Sequence, residues 1–442
     1  MEAGSDFEEL VKMDVDLRSL EKGLKKMRIE RLDNYLWILL GQGIRFLINS
    51  IYFIILVRVL DVNEYGLVSS TLSIMYIVFP FVGFGIGNIL IRNIAQNKEK
   101  INEIWGQSII ITILSFLLFV PITLTVYLYI NRNDINAIVF VVLCITELLF
   151  YSLIELCCQL FQVINKSKLI AKINIVFSIL RLGSVLILFV FPAPDVNDWL
   201  SIYFISSLIS TIFALYLVTR NIGFPKIKNY SNIFSNLKEG SFFSINNGVT
   251  AVINELDKVI LSTYFNKSVV GLYALGYKVI DLSFIPIKSY LFYSYSNFFK
   301  FGDKNLKGIL KFAIKKMKVN IYYASLLAFF LYFMAPYAEM VIGKEGLGVE
   351  KIIRYMCLIP IIRTVYYFLG DALTGAGYQK VRTFINLIVS ILGVIMNIIL
   401  IQRYSLLGAI LTMYFSYLLI TIIQFISILI LLKRESAIGS YS

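Results

Sequence analysis

The stretch YLWILLGQGIRFLINSIYFIILVRVL, residues 35–60, is apolar along most of its length, and three polar residues inside it set its character: Gln42, Arg45 and Asn49. As a helix it is long enough to cross the ~30 Å hydrocarbon core of a bilayer. Spacings of three and four put the three residues on one helical face. A guanidinium facing lipid at the helix centre costs at least ~2.5–3.5 kcal/mol. The stripe therefore turns inward, towards water or protein. The plainer alternative is that Arg45 lies near one interface and snorkels to it.

The same stripe returns half a chain later. A shift of 205 carries Gln42 to Asn247, Asn49 to Asn254, and residues 60–67 (LDVNEYGL) onto 265–272 (FNKSVVGL). A shift of 212 matches Lys168, Ile173, Asn174 and Ser178 to Lys380, Ile385, Asn386 and Ser390. Polar and glycine coincidences carry this reading, because chance matches among apolar residues are easy. Two halves of six spans each, starting on the same membrane side, are parallel repeats with a cavity between them. Such a repeat is more typical of a transporter than of a membrane enzyme.

Composition sets the class. The chain has 442 residues, 58% hydrophobic and only 16% charged, with mean hydropathy +0.77. This is the composition of an all-α polytopic membrane protein. The first 33 residues are charged and lack a short apolar core with a cleavage site, so no signal peptide is expected. Histidine is absent, which removes the usual general base and the commonest metal ligand. Cys144, Cys157, Cys158 and Cys357 lie in apolar segments without metal spacing and read as core residues. No metal, cofactor or catalytic group is expected.

Residues 1–33 place Leu10, Met13, Leu17, Leu20, Leu24 and Met27 at helical spacing, with Lys25, Lys26, Arg28 and Arg31 clustered before the membrane. This cytoplasmic amphipathic segment could lie on anionic lipid, pair with a partner helix, or simply pack. Twelve spans come after it: 35–58, 66–87, 105–129, 136–162, 170–192, 199–219, 241–264, 271–296, 316–338, 352–374, 382–402 and 405–432. They divide into an N-lobe at 34–220, a linker at 221–240, a C-lobe at 241–432 and a tail at 433–442. Of the 41 Lys and Arg, 28 fall on the side of the N-terminus and only seven on the other (Arg58, Arg132, Lys267, Lys344, Lys351, Arg354 and Arg403). Both termini are therefore expected in the cytoplasm. The net charge of +13 reads as a topology signal, not a nucleic-acid footprint.

Several residues could carry chemistry inside the membrane. Glu147, Tyr151, Glu155 and Gln159 are four apart on one span, and Arg363, Tyr367 and Asp371 repeat that design on another. Buried carboxylates suit reversible protonation. The alternative for the first pair is a structural partnership with Arg181 on the next span. Lys278 and Asp281 are close enough in a helix to neutralise one another, with Lys288 further along the same span. Asp257 and Lys258 read as structural. Pro80 and Pro286 fall at nearly matching places and are natural kinks. The candidate lining of a cationic cavity is thus Gln42, Arg45, Asn49, Arg181, Asn247, Asn254, Lys278 and Arg363. Glu147, Glu155, Asp281 and Asp371 are the candidates for a coupling ion. A cavity of that kind suits a phosphate or pyrophosphate head group.

Residues 58–66 (RVLDVNEYG), 83–88 (GFGIGN), 257–261 (DKVIL), 270–273 (VGLY) and 373–380 (LTGAGYQK) carry a resemblance. Over about 34–432 the chain resembles a Wzx-type polysaccharide flippase of the multidrug/oligosaccharidyl-lipid/polysaccharide (MOP) exporter superfamily. The resemblance implies about twelve transmembrane helices in two six-helix lobes, MATE- and MurJ-like, around a V-shaped cavity. It also implies flipping of undecaprenyl-pyrophosphate-linked oligosaccharide across a bacterial cytoplasmic membrane by alternating access, for O-antigen, capsule or exopolysaccharide synthesis. Arg45 and Lys278 sit where cationic residues serving the lipid pyrophosphate would be expected. The implied partners are the lipid-linked substrate, membrane lipids, a polysaccharide polymerase and a chain-length regulator, with no nucleic acid. The long N-terminal segment departs from the usual short family start.

Two other readings compete. A drug or small-molecule antiporter of the same fold would have a more apolar or acidic cavity. A membrane glycosyltransferase or polymerase needs catalytic groups and larger loops on the outer face, where the longest loop here is roughly 339–351.

Overall fold

The computed structural model describes residues 41, 43–96, 98–131, 136–192, 194–226, 233–302 and 306–439. The amphipathic segment expected at 1–33 and the candidate Gln42 lie outside them. Every long element among the described residues is a helix. In order these are α1 (43–59), α2 (Val62–Val78), α3 (Ile86–Gln96), α4 (Ile101–Asn131), α5 (Ala137–Cys144), α6 (Tyr151–Val163), α7 (Ser167–Ile187) and α8 (Val196–Ile222). The second half holds α9 (Ile233–Tyr264), α10 (Lys267–Ser283), α11 (Ile285–Gly302), α12 (Leu306–Ile342), α13 (Val349–Met356), α14 (Ile359–Gly375), α15 (Gln379–Tyr404) and α16 (Leu406–Gly439).

Among the described residues seven helices are long and apolar enough to cross a membrane, or nine if the bent pairs α10–α11 (45°) and α13–α14 (40°) each count as one span. The other stretches of the expected twelve correspond to α1, to α2 with α3, and to α9. The protein has an all-α polytopic membrane fold. Helix ends reach further than the sequence suggests. α9 begins inside the stretch read as a linker, α11 and α12 take up much of 297–315, and α16 runs on into the stretch read as a tail.

The internal repeat is written into the helix starts. The Asp61 side chain caps α2 by accepting the Glu64 N–H at 2.7 Å. Asn266, 205 residues later, caps α10 by accepting the Val269 N–H at 3.2 Å. The two prolines act unequally. At Pro80 the helix gives way to a turn in which Gly83, Phe84 and Gly85 all have positive φ (83°, 46° and 64°). The free Gly83 N–H is taken up by Ser115 Oγ of α4 at 2.6 Å. Near Pro286 only Phe284 separates α10 from α11.

Helices α3–α8 pack mainly on one another, as do α9–α16, and α2 bridges the sets through α9 and α10. Gly41, just before α1, lies directly on Ala171 of α7, and at the other end of α1 Arg58 Nε donates to the Val341 carbonyl of α12 at 3.0 Å. The bridge is a glycine crossing. A Cβ added at Gly66 would overlap the Lys267 carbonyl and stand 2.8 Å from Gly271 N, and one at Gly271 would overlap the Val62 carbonyl. These glycines are repeat equivalents, and close backbone approach is what small residues permit between membrane helices. Near the basic end a second glycine pair joins the sets, Gly85 against the Gly240 carbonyl and Gly240 against the Phe84 carbonyl.

Candidate functional site

Glu155 and Tyr76 are solvent-accessible, and Arg45, Arg181 and Lys278 partly so, although protein surrounds each of them. They line an internal space reached from both sets of helices. On α1, Arg45 donates from Nη1 to Asn174 Oδ1 (3.2 Å) and from Nη2 to Tyr151 Oη (3.0 Å). Neither partner is a carboxylate. The snorkelling alternative is set aside by these contacts, which turn Arg45 into the protein. Glu155 lies near enough to attract it but forms no ion pair with it.

Arg181 on α7 has no carboxylate partner among the described residues either. Its guanidinium sits 4.6 Å from the Tyr52 ring centre and 5.2 Å from that of Tyr203. The alternative of an ion pair with Glu147 or Glu155 is not formed. Glu147 instead accepts the Tyr203 hydroxyl at 2.6 Å. The reason is local. Residues Ile145–Phe150 form a π-helical turn between α5 and α6, and a wider turn rotates the residues beyond it out of phase. The four-residue stripe is thereby split. Glu147 points to α8, Tyr151 to α1, and Gln159 to Gly87 of α3, against which it packs directly.

In the second half Lys278 makes no hydrogen bond or ion pair among the described residues. It stands close enough to Arg181, across the internal space, for the two cations to repel. Asp281, which the sequence places within neutralising reach, attracts Lys278 but forms no ion pair with it. Asp281 Oδ1 takes Lys288 Nζ at 2.8 Å and both terminal nitrogens of Arg363 at 3.2 Å. The α10–α11 bend brings Lys288 back onto Asp281, and Arg363 is only 1% exposed, lying over the Phe284 and Tyr417 rings. Arg363 is thus a buried partner, not a lining cation.

The remaining candidates disperse. Asp371 is bonded by Arg382 at 3.0 Å. Asn254 accepts the Tyr417 hydroxyl at 2.8 Å, Asn247 is exposed on α9, and Asn49 Oδ1 is buried without a partner. Asp257, read as structural, is buried and takes the Tyr273 hydroxyl. Its neighbour Lys258 pairs with Glu255 at 2.9 Å. Glu255 was not singled out from the sequence, yet it links the helix sets by accepting Ser73 Oγ of α2 at 2.8 Å. Its spacing of three from Lys258 was the available signal. Among the described residues no three His, Cys, Asp or Glu come together as a metal site would require.

Residues 31–289 match the family described as polysaccharide biosynthesis protein. A membrane protein of Methanocaldococcus jannaschii, itself uncharacterised, is 24% identical over 410 residues, spanning 84% of this chain and 79% of the relative. Two solved structures share the fold at 13% identity. An inward-facing multidrug resistance MATE family transporter of the MOP superfamily superposes with a TM-score of 0.72, over 92% of this chain and 99% of that one. The lipid II flippase MurJ, in an inward closed conformation, gives 0.71 over 89% and 87%.

Proposed function

Because the chain belongs to the polysaccharide biosynthesis protein family and has the fold of MOP-superfamily transporters, we propose that it is a flippase for lipid-linked oligosaccharide. The observation that carries this reading is the set of three cations around the internal space, Arg45, Arg181 and Lys278. None forms an ion pair among the described residues, the nearby Glu155, Glu147 and Asp281 attracting them only from beyond contact, and they come from both halves. Unpaired cations away from bulk water are costly unless an anion joins them. A polyprenyl diphosphate brings such an anion, and charge-assisted bonds to phosphate are strong in this setting. The N-lobe and C-lobe, 34–220 and 241–432, would rock about the α2–α10 crossing and expose the space to each side in turn. Both termini and the basic helix ends would face the cytoplasm, where the substrate is made, and a polymerase and chain-length regulator would act on the product. Glu155, accessible and without an ion pair, is the better placed of the coupling candidates.

The test is translocation of lipid-linked oligosaccharide in proteoliposomes, alongside complementation of a flippase-null strain. Arg45→Ala, Arg181→Ala and Lys278→Ala should each lose transport at normal abundance, with Arg45→Lys keeping a part. Normal transport by all three would end the anion reading and favour an antiporter for apolar substrates.

A further inference from the structure

The contacts around Arg181 form a layered stack that the charge count alone does not explain. Its guanidinium lies between the Tyr52 and Tyr203 rings. Tyr203 is in turn stacked on Trp199, 5.2 Å between centres and 9° between planes. Glu147, the carboxylate placed beside the cation, is committed to the Tyr203 hydroxyl. Arg181 Nε, Tyr52 Oη and Trp199 Nε1 are all buried and none completes a well-aligned hydrogen bond, the Tyr52 hydroxyl lying within reach of both Arg181 and Trp199. Tyr52, Trp199, Tyr203 and Glu147 are each less than 10% exposed. The site therefore gathers buried donors around a cation and uses its one carboxylate elsewhere. Tyr76 of α2 closes the surroundings, and Lys278 faces Arg181 from the second half.

We infer that Tyr52, Trp199, Tyr203 and Glu147 form a seat that holds Arg181 ready for a phosphate-type oxyanion, with Glu147 acting as a positioning residue and not as a proton carrier. The inference deepens the flippase reading and rests on it for the source of the anion. Glu147 fixes the Tyr203 hydroxyl, the hydroxyl fixes the ring, and the ring fixes the guanidinium plane. Arginine suits such a seat because its flat fork stacks on aromatic faces while presenting donors at its edge, which an ammonium cannot do. The π-helical turn gives Glu147 this direction, and such turns often mark functional positions.

The experiment measures binding of inorganic pyrophosphate, and separately of a polyprenyl diphosphate in detergent, to the purified full-length protein, together with the pH profile of transport. Arg181→Ala should abolish binding of both. Arg181→Lys should not restore it. Tyr203→Phe and Glu147→Ala should weaken binding about tenfold, the worth of one hydrogen bond near a charge. Glu147→Gln, which can still accept the Tyr203 hydroxyl, should bind within about threefold of wild type, well under the 1.4 kcal/mol of a tenfold change, and keep the wild-type pH profile. A flattened or shifted pH profile in Glu147→Gln would overturn the inference. So would wild-type binding by folded Tyr203→Phe and Glu147→Ala together. If pyrophosphate binds through Arg181 but lipid-linked oligosaccharide is not moved, the seat stands and the flippase reading falls. If the substrate is moved while the seat variants keep wild-type affinity, the reverse holds.

Discussion

Replacing Gly66 by alanine tests how the two halves are held together. In the structure a Cβ there would overlap the Lys267 carbonyl oxygen and stand 2.8 Å from Gly271 N. Both obstacles are backbone, so no side chain can rotate away. The Cβ would lie 1.9 Å from the Lys267 oxygen and ordinary contact needs about 3.5 Å, so α2 and α10 must part by about 1.6 Å at this point. Overpacking of this kind costs about 1–3 kcal/mol. The cost applies only to conformations in which the crossing is closed. At ~1.4 kcal/mol per factor of ten, the population with this end apart should rise between about fivefold and a hundredfold. Spin labels at Asn63 and Ser268, flanking the crossing on repeat-equivalent positions, would report the separation directly. The expected result is a longer or broader distance distribution in Gly66→Ala, reproduced by Gly271→Ala, with the double variant adding less than the sum because the two changes relieve one contact. An unchanged distribution and unchanged thermal stability in both single variants would refute the argument.

Three further outcomes are expected. Arg363→Ala should lower abundance and melting temperature, as loss of one member of a buried charge cluster costs about 3–5 kcal/mol, and Asp281→Asn added to it should restore part; a normal melting temperature for Arg363→Ala would contradict the contacts described. Asp195→Ala should cost about 1 kcal/mol by removing the capping box that starts α8. The Asp198 backbone N–H, joined by Asn197, holds the Asp195 carboxyl below its ordinary range. Its contribution is therefore full above the ordinary carboxylate range and lost as pH falls through the lowered native value, so melting against pH should flatten in Asp195→Asn. For orientation, impermeant labels on cysteines placed at Asn63, Asp195 and Ser268 should react from outside intact cells, and those at Lys100 and Lys226 only after permeabilisation; the opposite pattern would invert the membrane assignment.

Much of the architecture was legible because it rests on local chemistry. Asp61 and Asn266 are capping residues at repeat-equivalent sites, Gly66 and Gly271 sit five residues beyond them, and Pro80 and Pro286 lie at helix breaks, whereas Pro121 and Pro336 stand inside continuous helices. The pairing of charges was less legible, for reasons that periodicity cannot carry. Asp281 is three residues from Lys278, which made that pair attractive, but a 45° bend lets Lys288 reach it from seven residues away and α14 delivers Arg363. The Glu147–Gln159 stripe assumed a uniform helix, and a single π-helical turn redistributed its members among three neighbours. Glu255 escaped notice because its role depends on Ser73, a residue unremarkable until α2 lies against α9.

The unwound turn at Gly83–Gly85 also constrains how this sequence can drift. Backbone amides at membrane depth need a partner within the protein, and Gly83 finds its partner in a hydroxyl on another helix. Ser115 Oγ in turn donates to the Thr112 carbonyl at 3.0 Å. An apolar replacement at 115 would strand the Gly83 amide, and a regular helix through 83–85 would leave Ser115 without its donor. Two segments some thirty residues apart are therefore bound to change in step, so that lineages which close the break should also be those that lose the serine.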